Sequence, residues 1–511
     1  MTAPTPFAEL RDLGVTQWQP KHETFTQPIV GLYQLVNPAL GAMDERYRRT
    51  TANVQRLIGD AVAAGVHLRA YGGTWSMSRC AATDGWLLDT SDLNLLFHLR
   101  PTSIRADYAG DRDALWLAQG GCSVAGLHRR LIPQGQSLQA CGASNGQSIA
   151  GAIATATHGS AIRFGSMQEQ VRALHLVVSP AESIWLEPAD TPVTEDGFAG
   201  HLGARLVRDD ELFNAALVGF GSLGFVQGVL LQTRPAFTLR AYRRRLPYDD
   251  AFKAAVTAFD IGALPVPVPD ASRPADRLWH YSVVIDPYHP ERGVFVTAMY
   301  DEPCGPGSVS TRSAGIAAGD ELYGTLGRLL DLLPGVIPGI VSSLVAGDQR
   351  DLTDACGTLE DQFPATETRG KAAGVGVSVA AEDAIRTLEL IMGINTAHGP
   401  FPCILAFRFV PGTRATMGFQ RFPMTCVVDI DGPYSTRTRS FFARIWQAMH
   451  DSGISYGLHW GKIVGLSAAE TRRLYGDRVD RWVAARERLL PDAAVREVFR
   501  NEFLDELGLS T

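Results

Sequence analysis

Leu68 to Ser78 reads LRAYGGTWSMS, and the use made of its two adjacent glycines decides the fold. A short apolar run, VHLRA, leads into Gly72 and Gly73; a threonine, a tryptophan and two serines follow. Paired glycines after a strand mark backbone that must pass close to something, or turn with positive φ. Upstream, Arg48 to Gly65 has helical spacing and ends on a glycine suited to a C-cap. Downstream, WLLDTSDLN and ALWLAQGG read as short strands, and SVAGLHRRLIPQG as a helix closed by Pro133 and Gly135. Ala140 to Gly165 is very rich in Gly, Ala, Ser and Thr, and VRALHLVVSP and FVQGVLLQT after it are strands. This alternation predicts an α+β domain reaching to about Thr233.

A chain of 511 residues is too long for one core and divides into two or three domains. With 45% hydrophobic and 20% charged residues it has the composition of a folded globular protein. A net charge of -7 argues against a nucleic-acid partner and is compatible with a small-molecule ligand. Seven scattered cysteines, with no metal-like spacing, read as buried thiols of a reducing compartment. The N-terminus lacks the pattern of a secretory signal, which points to the cytoplasm. The most apolar region, Leu329 to Gly347, is interrupted by Asp331, Pro334 and Pro338 and makes a poor membrane span. From Arg234 to about Gly432 prolines cluster and strands and helices mix less regularly, which predicts a second domain. The last eighty or so residues return to helical patterns.

GFGSLG, Gly219 to Gly224, matches the dinucleotide fingerprint, but a helix-like stretch precedes it and a strand follows. The fingerprint needs the reverse order, so a glycine-rich helix-to-strand turn is the better reading. Ser148 to Gly159 carries small residues at nearly every position. Such a run lets backbone N–H groups cradle phosphate, or simply packs as a helix of small residues; alone, it leaves both open.

RAYGGTWS, then SIAGAIATATHGS, then GFGSLGFVQGVLLQT, and a C-terminal HWGK at His459 to Lys462, come in the order found in one family. In these segments the chain resembles the vanillyl-alcohol oxidase family of FAD-dependent oxidoreductases, nearest the alditol and aldonolactone oxidase branch. The resemblance implies a two-domain PCMH-type FAD-binding fold, α+β, with an inserted α+β substrate (cap) domain. Residues 1–233 would be the FAD-binding domain, 234–432 the cap, and 433–511 a segment that returns to the FAD-binding domain and closes the active site. It further implies that Ala70, Tyr71, Gly72, Gly73, Thr74, Trp75 and Ser76 wrap the FAD pyrophosphate. Ser148, Ile149, Gly151, Thr155, Thr157, His158 and Gly159 would contact the isoalloxazine and diphosphate, and Val226 the adenine or ribose. His459 would sit beside the flavin and Lys462 near its reactive edge. Gly142, at the position that gates oxygen, leans towards an oxidase.

Two departures from the family matter. Many members attach FAD through a histidine that ends the first loop; Trp75 stands there and has no ring nitrogen able to make the bond. Ser144 falls nearest the second attachment point and Cys141 misses it by three, so noncovalent FAD is expected. The sugar-oxidising branch also places a glutamate two residues before Arg408, where this chain has Ala406. Losing that carboxylate argues against a simple sugar alcohol, as does the apolar Leu329 to Gly347 region if it lines the pocket. The expected activity is FAD-dependent oxidation of an alcohol or lactol C–OH, with O2 or another electron acceptor. Lys462 would position the hydroxyl and Arg408 bind a polar substrate oxygen; no metal and no membrane span are expected. A flavin-binding protein without oxidative chemistry, and a flavin monooxygenase or oxidative cyclase, are the alternative readings.

Overall fold

In the computed structural model, which describes residues 3–268, 274–305, 308–310, 327–365 and 370–510, the first 233 residues build two larger sheets and a small two-stranded one. Strands β1 (Leu10–Asp12), β2 (Gly31–Leu35), β3 (Leu68–Tyr71) and β4 (Trp86–Asp89) form a four-stranded sheet in the order β1-β2-β4-β3. Helix α1 (Met43–Ala64) starts with Asp44 and Glu45 at its positive end and stops at Gly65, which takes the left-handed φ of 61°. The second sheet comprises β5 (Leu96–His98), β6 (Leu115–Gln119), β7 (Val171–Val177), β8 (Ser183–Glu187), β9 (Arg205–Arg208) and β10 (Phe225–Gln232). Its order is β9-β8-β7-β10-β6-β5. Helices α2 (Val124–Leu131) and α3 (Ile149–Ala154) follow β6, each started by a serine whose hydroxyl accepts a backbone N–H. GFGSLG links α4 (Asp210–Leu217) to β10, so a helix precedes it and a strand follows, as the sequence predicts.

Beyond residue 233 a nine-stranded sheet dominates the described residues. Its strands are β11 (Leu239–Leu246), β12 (Leu278–Ile285), β13 (Val294–Asp301), β14 (Val309–Ser310), β15 (Leu352–Gly357), β16 (Ala372–Ala380), β17 (Ile404–Pro411), β18 (Met424–Pro433) and β19 (Tyr456–Leu458). They run in the order β14-β15-β11-β13-β12-β17-β18-β16-β19. In β17 the period of two is plain: Leu405, Phe407 and Phe409 are fully buried, while Ala406 and Arg408 point to the opposite face. The apolar stretch after Leu329 is broken at Pro334–Val336 before α5 (Ile337–Asp348) begins. Among the described residues no helix is long and apolar enough to cross a membrane.

The chain after residue 432 divides its contacts. Strand β19 extends the nine-stranded sheet, whereas α6 (Ala468–Tyr475), α7 (Asp477–Leu489) and α8 (Ala493–Val498) follow it, α7 packing on α4 and α8 on α1. The Trp482 indole donates to the Val218 carbonyl at 3.0 Å, and Asn501 caps the carbonyl of Ala82 at 2.9 Å. One apolar core runs from Leu88 and Leu174 through Val377 and Phe407 to Trp482, so the parts on either side of residue 233 share a core.

The reading of all seven cysteines as thiols is corrected. Cys80, Cys122, Cys141, Cys403 and Cys426 are buried and free, but Cys304 and Cys356 form a disulfide. Strands β13 and β15 both pair with β11, which brings the ends of two segments 52 residues apart to a Cα separation of 5.6 Å; sequence spacing carries no trace of this. A cross-link closing a loop of this size takes about 4 kcal/mol of chain entropy from the unfolded state. Cys304→Ala/Cys356→Ala is therefore expected to melt several degrees below the oxidised parent, and dithiothreitol should lower the parent to the same value. Equal melting temperatures with and without reductant would show that the bridge does not form in solution.

Candidate active site

A cavity of about 740 Å³ lies between the first loop, the second glycine-rich segment and the open face of the nine-stranded sheet. The two glycines after β3 are explained by what approaches them. A Cβ at Gly72 would fall 2.0 Å from Ser148 Oγ, and one at Gly73 would fall 2.3 Å from the Gly146 carbonyl oxygen. Gly146 in turn lies under the Trp75 indole, with Nε1 2.5 Å from the place of a Cβ. The close partner of the first loop is thus the second segment, and the tryptophan closes over their junction. Lys21 Nζ sits 3.8 Å from the Trp75 ring centroid, and His22 meets the same ring edge-on. Thr74, β-branched, is held at a left-handed φ of 56°.

Ala70, Tyr71, Gly72, Gly73, Thr74, Trp75 and Ser76 all line the cavity, as do Ser148, Gly151, Thr155, Thr157, His158, Val226, Arg408, His459 and Lys462. Ile149, Gly142 and Gly159, also expected at the cofactor, do not. The Ile149 side chain is fully buried in the core, and a Cβ at Gly159 would sit 2.3 Å from the Cys141 carbonyl oxygen. A Cβ at Gly142 would meet the Thr157 methyl at 3.0 Å, so this glycine serves packing behind the wall.

The backbone N–H groups of residues 72–76 make no hydrogen bond to any described residue, although all five residues face the cavity. Unpaired donors in a concave wall are what a diphosphate satisfies, so the residues present fit FAD. The HWGK segment is tied to this loop: Met77 N–H donates to the Gly461 carbonyl at 2.8 Å and Ser78 Oγ to the Trp460 carbonyl at 2.7 Å.

At the other end of the cavity stands a charged cluster. Lys462 Nζ donates to Asp429 Oδ1 at 2.8 Å and to Asp431 Oδ1 at 2.7 Å. Arg408 Nη1 lies 3.2 Å from Asp429 Oδ2, and the Asp429 side chain is 0% exposed. Burial alone would raise the Asp429 carboxyl, but the charges of Lys462 and Arg408 outweigh it and hold the group below the usual carboxylate range. Burial alone would likewise discharge Lys462; Asp429 and Asp431 outweigh it and keep the ammonium charged to higher pH than usual. Two histidines border the cluster, their ring centroids 5.2 Å apart. His158 Nδ1 donates to the Gly159 carbonyl at 3.0 Å, which leaves Nε2 as a lone-pair acceptor. His459 Nδ1 accepts from the Gly461 N–H at 3.0 Å, which puts its proton on Nε2. Burial lowers His158 to about 4 and holds His459 well below its ordinary value, so both are neutral at pH 7.

The carboxylates and the glycines that make room for them are the residues that sequence reasoning missed. A Cβ at Gly374 would fall 2.1 Å from Asp431 Oδ1, and one at Gly376 would meet His459 Cβ at 2.9 Å. The signal was present as VVDIDGP, two acids at strand period in an apolar run, and as GVGV on the neighbouring strand. From the cluster the cavity continues into an apolar arm walled by Leu330, Ile340, Val341, Leu344, Pro402 and Ile404.

Residues 47–186 match the family model described as an FAD binding domain. The chain therefore carries a PCMH-type FAD-binding domain and is an FAD-dependent oxidoreductase. Over 462 residues it is 24% identical to an L-gulono-1,4-lactone dehydrogenase of Mycobacterium tuberculosis, covering 88% of this chain and 92% of that protein. A putative D-arabinono-1,4-lactone oxidase of Neurospora crassa is 28% identical over 190 residues, 37% of this chain and 29% of that protein. Cholesterol oxidase from Brevibacterium sterolicum shares the fold with a TM-score of 0.71 at 14% identity, covering 99% of both chains.

Gly73→Ala is expected to abolish flavin binding, because a backbone carbonyl at 2.3 Å cannot yield as a side chain would. Purified Gly73→Ala should be colourless with a circular dichroism spectrum like the parent's. A normally yellow variant would show that the two segments separate easily.

Proposed function

We propose that this enzyme binds FAD without a covalent bond and oxidises the C–OH group of a largely apolar alcohol or lactol, with O2 or another electron acceptor. The observation that carries the reading is the junction of the Lys462–Asp429–Arg408 cluster with an apolar arm inside one cavity. When bound, FAD supplies the two-electron acceptor that takes hydride from the carbinol carbon. Residues 72–76 would hold the diphosphate through backbone donors; in this division residues 1–233 would bind the cofactor, 234–432 shape the substrate pocket and 433–511 close it.

Lys462, kept protonated, donates a hydrogen bond to the substrate oxygen, and Arg408 offers a second cation beside it. A lysine held in this state is a donor and cannot be the base. The hydroxyl proton goes instead to His158 Nε2, the lone pair that no described residue occupies, while His459 Nε2–H is a donor towards the cofactor. The apolar wall orients the rest of the molecule and excludes water. An aldonolactone or its lactol is the second substrate class to test, on the strength of the lactone dehydrogenase relative that spans 88% of the chain. The Cys304–Cys356 bridge favours an oxidising compartment over the cytoplasm.

Acid precipitation of the yellow protein should release FAD into the supernatant. Colour in the pellet would mean a covalent bond, with His22 beside Trp75 as the nucleophile to mutate. Anaerobic mixing with primary and secondary alcohols of increasing apolar length should bleach the flavin faster as length grows. Lys462→Met should slow that bleaching by about 10² to 10³-fold while leaving flavin content unchanged. Bleaching by none of the alcohols or lactols would overturn the oxidative reading.

A further inference from the structure

Three adjacent strands bring their cavity-facing positions into register. Ala406 on β17 stands opposite Asp429 on β18, and Asp429 stands opposite Gly376 on β16. Strand β17 carries Arg408 but offers no acid on that face, since its neighbours there are Ile404 and Ala406. The acid comes from across the ladder. Asp429 gives one oxygen to each cation: Oδ1 accepts from Lys462, and Oδ2 faces Arg408 without a hydrogen bond of its own. It is wholly buried yet lines the cavity, and Gly376 leaves the space beside it that a side chain would fill.

We propose that Asp429 is a positioning residue for the oxidation: from the strand opposite Ala406 it holds the Lys462 ammonium and the Arg408 guanidinium side by side at the substrate end of the cavity. This rests on the function proposed above. Asp429 does not itself take the substrate proton, because both its oxygens are committed to cations. Its work is to fix the separation of two cations that would otherwise repel, and to keep Lys462 a donor.

The charged and titratable groups facing Asp429 are Arg408 from β17, Lys462 and His459 from the segment after β19, and His158 from the segment after α3. Cys426 and Asp431 lie along its own strand. In Asp429→Asn, only the half-exposed Asp431 still pairs with Lys462. Burial then acts against a smaller opposing charge, so Lys462 loses its proton at lower pH and the alkaline limb of the rate profile moves down with it.

The chain has four lysines, Lys21, Lys253, Lys371 and Lys462, so carbon-13 labelling at lysine Cε gives a spectrum in which Lys462→Arg identifies the Lys462 signal. In the FAD-loaded protein, Asp429→Asn should lower the titration midpoint of that signal. Flavin reduction should slow by about 10²-fold, in kcat more than in KM, with its alkaline limb shifted to lower pH. Ala406→Glu/Asp429→Ala, which returns a carboxylate from the facing position, should move the midpoint back and recover part of kcat. An unmoved Lys462 midpoint in Asp429→Asn overturns the proposal. A folded, flavin-loaded double variant that restores neither midpoint nor rate also overturns it, and decides the matter should Asp429→Asn not fold. If no alcohol reduces the wild-type flavin, the functional reading fails, and the lysine titration still decides whether Asp429 holds Lys462.

Discussion

The contact of two backbones without side chains between them is the constraint on which the site depends. Gly72 and Gly73 lie against Ser148 and Gly146 at distances no Cβ could tolerate, and the Trp75 indole covers the seam. Where the segments touch, the N–H groups of residues 72–76 have no hydrogen-bond partner among the described residues, and these residues line the cavity. Backbone donors left open to a cavity are available to a ligand that accepts from them. The loop is therefore shaped in favour of an anionic ligand. Thr74 at positive φ adds local strain in the same place. Arg69, one strand position before Ala70, holds this loop from behind. Its guanidinium donates to the carbonyls of Phe220, Gly221 and Phe499, and so ties β3 to the GFGSLG turn and to the C-terminal helices.

The charged end of the cavity obeys a different balance. Two cations and a wholly buried carboxylate each carry a desolvation penalty, and the pairing repays it only if geometry is good on every side. Here Asp431 completes the set at the solvent edge, so the cluster has two positive and two negative charges. Room for it comes from the alternating glycines of β16, which stand in register with Asp429 and Asp431. A strand that gives up side-chain packing at Gly374 and Gly376 loses β propensity. That loss is accepted where the neighbouring strand must turn acids inward, and the apolar residues Val375, Val377 and Val379 on the other face keep the strand in the core.

What was legible in the sequence was local. A strand ending in paired glycines, a helix ending at Gly65, and a helix before GFGSLG with a strand after it all rest on spacing within one segment, and all appear in the structure. Lys462 and Arg408 were candidates because the family resemblance carries over to HWGK and to the strand around Arg408. Asp429 was not, since its meaning lies in pairing across β17 and β18, and register between strands is not written in either strand alone. The Cys304–Cys356 bridge was hidden for the same reason. Sequence could not tell which side of the short helix Ile149 takes: Ser148 and Gly151 line the cavity, while the Ile149 side chain turns into the core. The shared core across residue 233 had no local mark either: both parts are apolar enough to suggest cores of their own.

The two ends of the cavity are supported unequally, and this bears on how the enzyme selects its substrate. The loops that fit FAD, the strands that carry Arg408 and Asp429, and the strand β19 that leads into Lys462 are rooted in the main core. The apolar arm is not. Helix α5 packs through Ile337, Val341 and Val345 into a small separate cluster with Phe295 and Leu330, and Leu344 on it is 49% exposed. Among the described residues, ties on this wall include Asp331, which accepts from the N–H groups of Thr436 and Arg437 at 3.0 and 3.1 Å, Arg243 Nη1, which donates to the Asp348 carbonyl at 3.2 Å, and the Cys304–Cys356 bridge, which closes the chain segment that contains α5. A satellite cluster opens at lower free energy than the core beside it. Changes in α5 thus alter the shape and polarity of the arm without disturbing the cation pair, and the same chemistry is free to serve substrates of different length. In the reaction proposed above, the charged end fixes which bond is oxidised, and the loosely held apolar wall fixes which molecule presents it.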